Sequence, residues 1–232
     1  MTWPHVDYDT DLWMQIPNSW EGTPWKGPKE WGRELSAVWW DDSGLEPTRK
    51  DLKLLAATLR SCAERFPLSH PGFDVYLHLP DPRLMPLPVY VASIEAEGDN
   101  DGDRDRDRDR DRDESLRALV TTDDPALVEK PIVEDFTTES LGTGLRSLRY
   151  TQVDAAEAES GAGANGDTLV AGVRYAWRHE ATRCDVLVIV SAPDPRRVLG
   201  AMDDLDDFVR RIGMPGPGPG PEPGSGEAQG AA

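Results

Sequence analysis

Apolar residues recur along this chain first with a helical period, then with a strand period, then with a helical one again. Leu12 to Pro17 is a short apolar run that predicts an opening strand. From Pro28 to Trp40, the residues Trp31, Leu35, Val38 and Trp39 fall at i, i+4, i+7 and i+8, one face of a short amphipathic helix. A second helix is predicted from about Thr48 to Phe66. Thr48 with Asp51 three residues later is a capping-box signature, Leu52, Leu55, Leu59, Cys62 and Phe66 form its apolar face, and Pro67 closes it. The period then falls to two: Val75, Leu77 and Leu79 alternate with Asp74, Tyr76 and His78, as in a half-buried strand. Further strands are predicted near Pro88 to Ala96, Leu116 to Thr121, Ile132 to Thr137, Leu145 to Val153, Leu169 to His179 and Asp185 to Ser191. In the last of these VLVIV is apolar on both faces, which marks a central strand covered from both sides. The closing helix runs from Pro195 to Ile212, with Asp194 as N-cap, Pro195 at its first position, and Val198, Met202, Leu205, Val209 and Ile212 as its buried stripe.

Strands in succession with helices at the two ends predict an α+β fold, an antiparallel sheet flanked by helices, rather than alternating βαβ units. A single such domain is expected over residues 1–212. Three stretches stand apart from it. Residues 97–115 contain a strict Asp-Arg alternation from Asp103 to Asp113, in which every i,i+4 pair of a helix would be like-charged and each face of a strand would carry one sign, so a disordered charged insertion is expected, joining the strands Pro88 to Ala96 and Leu116 to Thr121 as a hairpin. Residues 154–167, DAAEAESGAGANGD, read as a flexible loop, and residues 213–232, with PGPGPGPEPG, as a disordered Pro/Gly-rich tail.

The elements carry a particular order. An early IPNSW segment, a meander containing SLGTGLRSLRY, a paired strand LVAGVRYAWRH and a closing VLVIVSAPDPRRVLGAMDDLDDFVRRI resemble, in that order, the PsbP-like sandwich shared with LpqN-type proteins. The resemblance covers roughly Leu12 to Ile212. It implies an accessory or interaction role and brings no shared catalytic residues.

Charge narrows the partners. The 232 residues carry 43 acidic and 25 basic side chains, a formal charge of -18, and such a chain is repelled by phosphate backbones and anionic membrane surfaces, so neither nucleic-acid binding nor membrane insertion is expected. No stretch approaches the roughly 20 apolar residues of a spanning helix. The N-terminal MTWPHVDYDTD is acidic where a secretory signal is basic and then apolar, so a cytoplasmic location is expected. Cys62 and Cys184 sit in apolar periods outside any metal-ligand spacing, and no metal or cofactor is expected.

Catalytic motifs are missing from the sequence: there is no G-x-S-x-G, no phosphate-binding glycine loop and no H-E-x-x-H. His179, Cys184 and Asp185 cluster around a hairpin turn, where a Cys-His pair would be the one nucleophile candidate. SLGTGLR, Ser140 to Arg146, reads as a turn entering a strand, with an anion-binding nest as the alternative. Seven of the eight tryptophans lie in the first forty residues, and Trp20 and Trp25 flank the loop-like EGTP, where full burial is difficult. Trp20, Trp25 and Trp40 are therefore the candidate protein contacts. Arg146, Arg149, Arg174, Arg178 and Arg183, on neighbouring strands, are a candidate basic stripe for an acidic partner, with Arg149, Arg174 and Arg178 as its contact residues, the alternative being ion pairs with Asp203, Asp204, Asp206 and Asp207 of the closing helix or plain exposure to water. The expected function is that of a non-catalytic accessory or adaptor protein that binds another protein through an aromatic N-terminal surface. The alternatives are a small-molecule binder with a pocket against the sheet and a hydrolase or transferase using Cys184 or an unrecognised acid pair.

Overall fold

The computed structural model describes residues 3–96, 105–121, 125–154 and 167–214. The chain is α+β. It opens with β1 (His5–Val6) and β2 (Trp13–Ile16), followed by helices α1 (Pro28–Asp42) and α2 (Arg49–Ser69), strands β3 (Asp74–His78) and β4 (Leu87–Glu95), and helix α3 (Asp105–Thr121). Four strands follow, β5 (Ile132–Thr138), β6 (Gly142–Asp154), β7 (Asp167–His179) and β8 (Cys184–Ala192), and then α4 (Pro195–Leu199), α5 (Met202–Arg210) and β9 (Ile212–Gly213). Seven strands make one antiparallel sheet in the order β2-β3-β4-β8-β7-β6-β5, and β1 pairs with β9 in a separate ribbon. The VLVIV strand, β8, is fourth of seven, as its two apolar faces require.

Each face of the sheet is covered by helices. Met14, Ile16, Val75, Leu77 and Tyr90 pack against Trp31, Trp39, Trp40, Leu55 and Leu59 of α1 and α2. Further along the same face, Leu116 and Val120 of α3 sit on Leu145, Ala176 and Leu187. On the opposite face Val89, Val91, Tyr175, Trp177, Val188 and Val190 pack against Val198, Leu205, Phe208 and Val209 of α4 and α5.

Several details correct the sequence reading. In α1 Val38 is exposed, and Trp40 and Ser36 are buried in its place, because the helix is turned to bury the larger indole. Helix α2 starts with the expected Thr48–Asp51 capping box but continues through Pro67 to Ser69. Its last turn is closed by the His70 N–H on the Phe66 carbonyl, and the His70 ring stacks on Tyr90 at 4.0 Å. The closing helix is two, α4 and α5. At the break Gly200 N–H bonds to Arg196 O and Ala201 N–H to Val198 O, a tightened turn that buries Ala201 completely. Ile212 and Gly213 then leave the helix to pair with Val6 and His5, and Met214 packs on the same core, so the fold continues past residue 212.

The largest correction is α3. Leu116 to Thr121 is helical, not a strand, and the Asp-Arg run from Asp105 onward is part of the same helix. Strand β4 accordingly pairs with β3 and β8 rather than with this segment. In a strict Asp-Arg alternation every i,i+3 pair is oppositely charged, which offsets the like-charged i,i+4 pairs. Leu116, Leu119 and Val120, at i, i+3 and i+4, then anchor the helix to the sheet. Residues 97–104, most of the 154–167 loop and the tail from 215 lie outside the described residues.

Candidate interaction surface

Trp20 and Trp25 meet solvent on the chain between β2 and α1. Gly22 adopts a positive φ of 78° in this turn. The Thr23 hydroxyl donates to the Trp20 carbonyl at 2.8 Å, and the Trp20 ring lies edge-on to Trp31 at 6.3 Å. The Trp25 indole N–H donates to Glu34 at 3.0 Å, and the Lys26 backbone N–H donates to Glu30 at 2.8 Å. Both acceptors are on α1, so the loop is stapled to the helix it introduces. Trp20 and Trp25 are each half-buried, resting on the α1–α2 layer with part of each ring left in water. Trp40, the third candidate, is 5% exposed and belongs to the core beneath that layer, which removes it from the surface.

The loop leads at Lys26, Gly27 and Pro28 into a groove of about 600 Å³ between α1 and α2. Beside the groove the two helices cross closely at Gly32. A Cβ there would lie 2.8 Å from the Ala56 carbonyl oxygen and 2.9 Å from the Arg60 backbone nitrogen. The Ser36 hydroxyl adds a bond to the Leu52 carbonyl at 3.1 Å. Lys29, Arg33, Lys53 and Arg60 line the opening beside this crossing. Spacing alone shows Lys53, Ala57, Arg60 and Glu64 as the outward stripe of α2, but only the packed helix pair brings that stripe opposite Lys29 and Arg33.

The arginine stripe is not an open surface. Arg149 is 6% exposed and lies against Gly172, where a Cβ would approach its Cγ to 3.3 Å. Arg174 donates to the Leu119 carbonyl at 3.1 Å and Ser147 to the Val120 carbonyl at 2.8 Å, so the sheet caps the C-terminal end of α3. Arg178 grips Asp185 on the neighbouring strand with two hydrogen bonds. These three side chains hold the fold together, which corrects their assignment as partner contacts. Arg146 follows the alternative reading, pairing with Asp206 of α5 at 2.5 Å as well as with Glu134 at 2.7 Å. That engagement, and the positive φ of 75° at Gly142, make SLGTGLR a hairpin turn.

Cys184 and His179 face each other in register across β7 and β8, yet each is engaged by Thr182. The thiol donates to the Thr182 carbonyl at 3.3 Å, and the His179 Nδ1 lies 2.8 Å from the Thr182 hydroxyl. This is a turn's own hydrogen bonding, without the thiol-to-imidazole contact that nucleophilic activation requires. Among the described residues no group of three His, Cys, Asp or Glu side chains is arranged to hold a metal ion, and no helix is long and apolar enough to cross a membrane.

One buried histidine, paired with a partly exposed aspartate, escaped the sequence reading. His78 is 1% exposed, between the Trp13 ring at 4.6 Å and α5, and its Nε2 is 2.8 Å from Asp204. Its backbone carbonyl accepts from Arg197 of α4 at 2.8 Å. Burial, reinforced by the Arg197 charge, holds the His78 pKa well below the ordinary histidine value, against the opposing pull of Asp204. Protonation would have to place a second N–H on Nδ1, a buried atom with no hydrogen-bond partner among the described residues. The folded protein therefore binds this proton less readily than the unfolded chain does, so the contribution is fully present above about pH 6.5 and is lost as the pH falls. His70, also depressed by burial, acts in the same direction. Between pH 6.5 and 5, urea titrations are expected to show His78 contributing a loss of up to about 1.4 kcal/mol per pH unit. That component should vanish in His78→Gln, which keeps the donor to Asp204 and cannot titrate. An unchanged pH slope in the variant would contradict the assignment.

Compared with known proteins, the chain matches no family model and no curated protein.

Proposed function

We propose that the protein is a non-catalytic accessory or adaptor that binds another protein through the surface formed by the Trp20–Trp25 loop and the adjoining α1–α2 groove. The observation that carries this reading is the placement of Trp20 and Trp25. Both are half-buried on a loop stapled to α1, and that loop leads, at Lys26 next to Trp25, into a groove of about 600 Å³, so two rigid aromatic surfaces are held on the segment that enters a concavity. An accessory role is also what the resemblance in element order implies. A cytoplasmic location and the absence of nucleic-acid partners belong to the same proposal, on the charge argument. The rival small-molecule reading expects a pocket against the sheet, whereas the recess of about 180 Å³ beside Trp40, Leu54, Leu55, Leu84 and Met85 lies between the helices and the loop that joins β3 to β4 and is smaller than ordinary ligand sites.

Affinity purification of the intact protein from its host, with mass spectrometry, tests the proposal against a Trp20→Ala/Trp25→Ala variant whose fold is checked by circular dichroism. A stoichiometric partner is expected with the intact protein. The variant should weaken that partner by at least about 2 kcal/mol, the scale of an interface hot spot. A partner retained at full strength by the folded variant would refute the surface assigned here.

A further inference from the structure

We infer that the α1–α2 groove receives an acidic peptide segment of the partner protein, its carboxylates meeting Lys26, Lys29 and Lys53. This deepens the reading above and rests on it. On a chain of net charge -18 the groove is lined by five cationic side chains, Lys26, Lys29, Arg33, Lys53 and Arg60, and two acidic ones, Glu30 and Glu64. Both acids are engaged with the arginines: Glu30 lies 3.8 Å from Arg33, which also meets Glu34 at 3.2 Å, and Glu64 lies 2.7 Å from Arg60. The three lysines have no carboxylate partner among the described residues.

That arrangement is not explained by folding. Like charges gathered in one groove repel one another, and the two carboxylates in the groove are already engaged with the arginines. The chain has only five lysines against twenty arginines, and three of the five are here. The planar arginine fork matches carboxylates bidentately, whereas a lysine is a flexible point charge that follows a carboxylate in many poses. In this groove the forks are occupied by Glu and the point charges are free. A nucleic acid is disfavoured because its dense phosphate charge would meet the field of the whole acidic molecule. A short acidic peptide presents a few charges to the one basic recess. Gly27, Pro28, Ala56 and Ala57 leave a shallow, small-residue lining between the lysines, and about 600 Å³ is within the usual range of a binding cleft.

Fluorescence polarisation of the full chain with a fluorescein-labelled decapeptide of alternating Glu and Ala tests this directly. The same peptide with Gln at every Glu and a thymidine decanucleotide serve as comparison probes. The structure requires saturable binding of the Glu peptide alone, weakened about tenfold, or ~1.4 kcal/mol, in Lys26→Gln/Lys29→Gln/Lys53→Gln and unchanged in Lys130→Gln, a lysine outside the groove. All three groove lysines are exposed, so the variant should keep its circular dichroism spectrum. The inference is overturned if the Glu peptide does not saturate, if the triple variant binds it as the parent does, or if the decanucleotide competes for the site. The two levels of the reading separate in the purification experiment. A native partner that survives the lysine substitutions but is lost with Trp20 and Trp25 removes the acidic segment and leaves the adaptor, while a partner indifferent to the tryptophans removes the adaptor itself.

Discussion

Gly144→Ala is expected to destabilise the protein by about 3 kcal/mol, at the upper end of what one added methyl costs in a packed interior. Gly144 is on β6, opposite Phe136 of β5, and the indole of Trp177 from β7 lies over it. A Cβ at this position would meet the Ala176 carbonyl oxygen and the Trp177 ring, whose Cγ is only 2.7 Å away. Neither neighbour has room to move. Trp177 is fully buried, its Nε1 donates to the Phe136 carbonyl at 3.3 Å, its ring stacks on Tyr175 at 5.9 Å, and Phe136 meets it edge-on at 6.0 Å. Displacing the indole therefore disturbs the aromatic layer against which the closing helices pack. For a chain of this size the loss corresponds to a fall in Tm of about 6–12 °C. Gly142, two residues earlier, is the internal control. A side chain there meets open space, so Gly142→Ala carries only the strain of a positive φ, about 1–2 kcal/mol. Equal melting temperatures for the two variants would mean that the Trp177 layer is looser than its contacts indicate.

The elements that were legible in the sequence are those whose signals are local. The Thr48–Asp51 box and the Asp194 cap before Pro195 each act within a few residues, and each is present in the structure; β3 is a strand as its period predicts, but it is buried on both faces rather than half-buried, because helices cover the sheet on either side. The central position of β8 was legible for a related reason: a strand apolar on both faces has only one place in a covered sheet. The rotation of α1 was not, because Val38 and Trp40 compete for the same side and the outcome depends on the volume offered by α2. Helix α3 was misread from an incomplete set of pairs. Counting i,i+4 neighbours alone makes the Asp-Arg run self-repelling, and adding i,i+3 makes it self-compensating. Its remaining support is tertiary: Arg174 and Ser147 on its final carbonyls, and Arg112 beside Glu180 at 3.4 Å.

The candidate site divides in the same way. Trp20 and Trp25 were legible because Gly22 and Pro24 keep that stretch out of a helix or strand. The lysine groove was not, since Lys29 and Lys53 belong to different helices and only the close crossing at Gly32 sets them across one opening. The arginines failed as a surface for a geometric reason. Alternation places Arg174 and Arg178 on the face away from Tyr175 and Trp177, which suggests water, but a sheet covered by helices on both sides has no wet face there.

Arg178→Met should accordingly act on stability rather than on partner binding. The Arg178 and Asp185 side chains are 12% and 5% exposed and directly opposite in the β7–β8 register, with the guanidinium forked onto both carboxylate oxygens. Removing the arginine leaves a carboxylate inside the sheet layer without its compensating charge, which costs about 3–5 kcal/mol in comparable buried pairs. Replacing both members by apolar residues of similar bulk, Arg178→Met/Asp185→Leu, removes the stranded charge too and is expected to recover most of that loss. Chemical denaturation of the three proteins measures both quantities. A contact residue would behave in the opposite sense: Arg178→Met would keep its denaturation midpoint and lose the partner. The double variant separates the two cases, because restored stability with an intact partner interaction is possible only if the guanidinium serves Asp185 and not an outside surface.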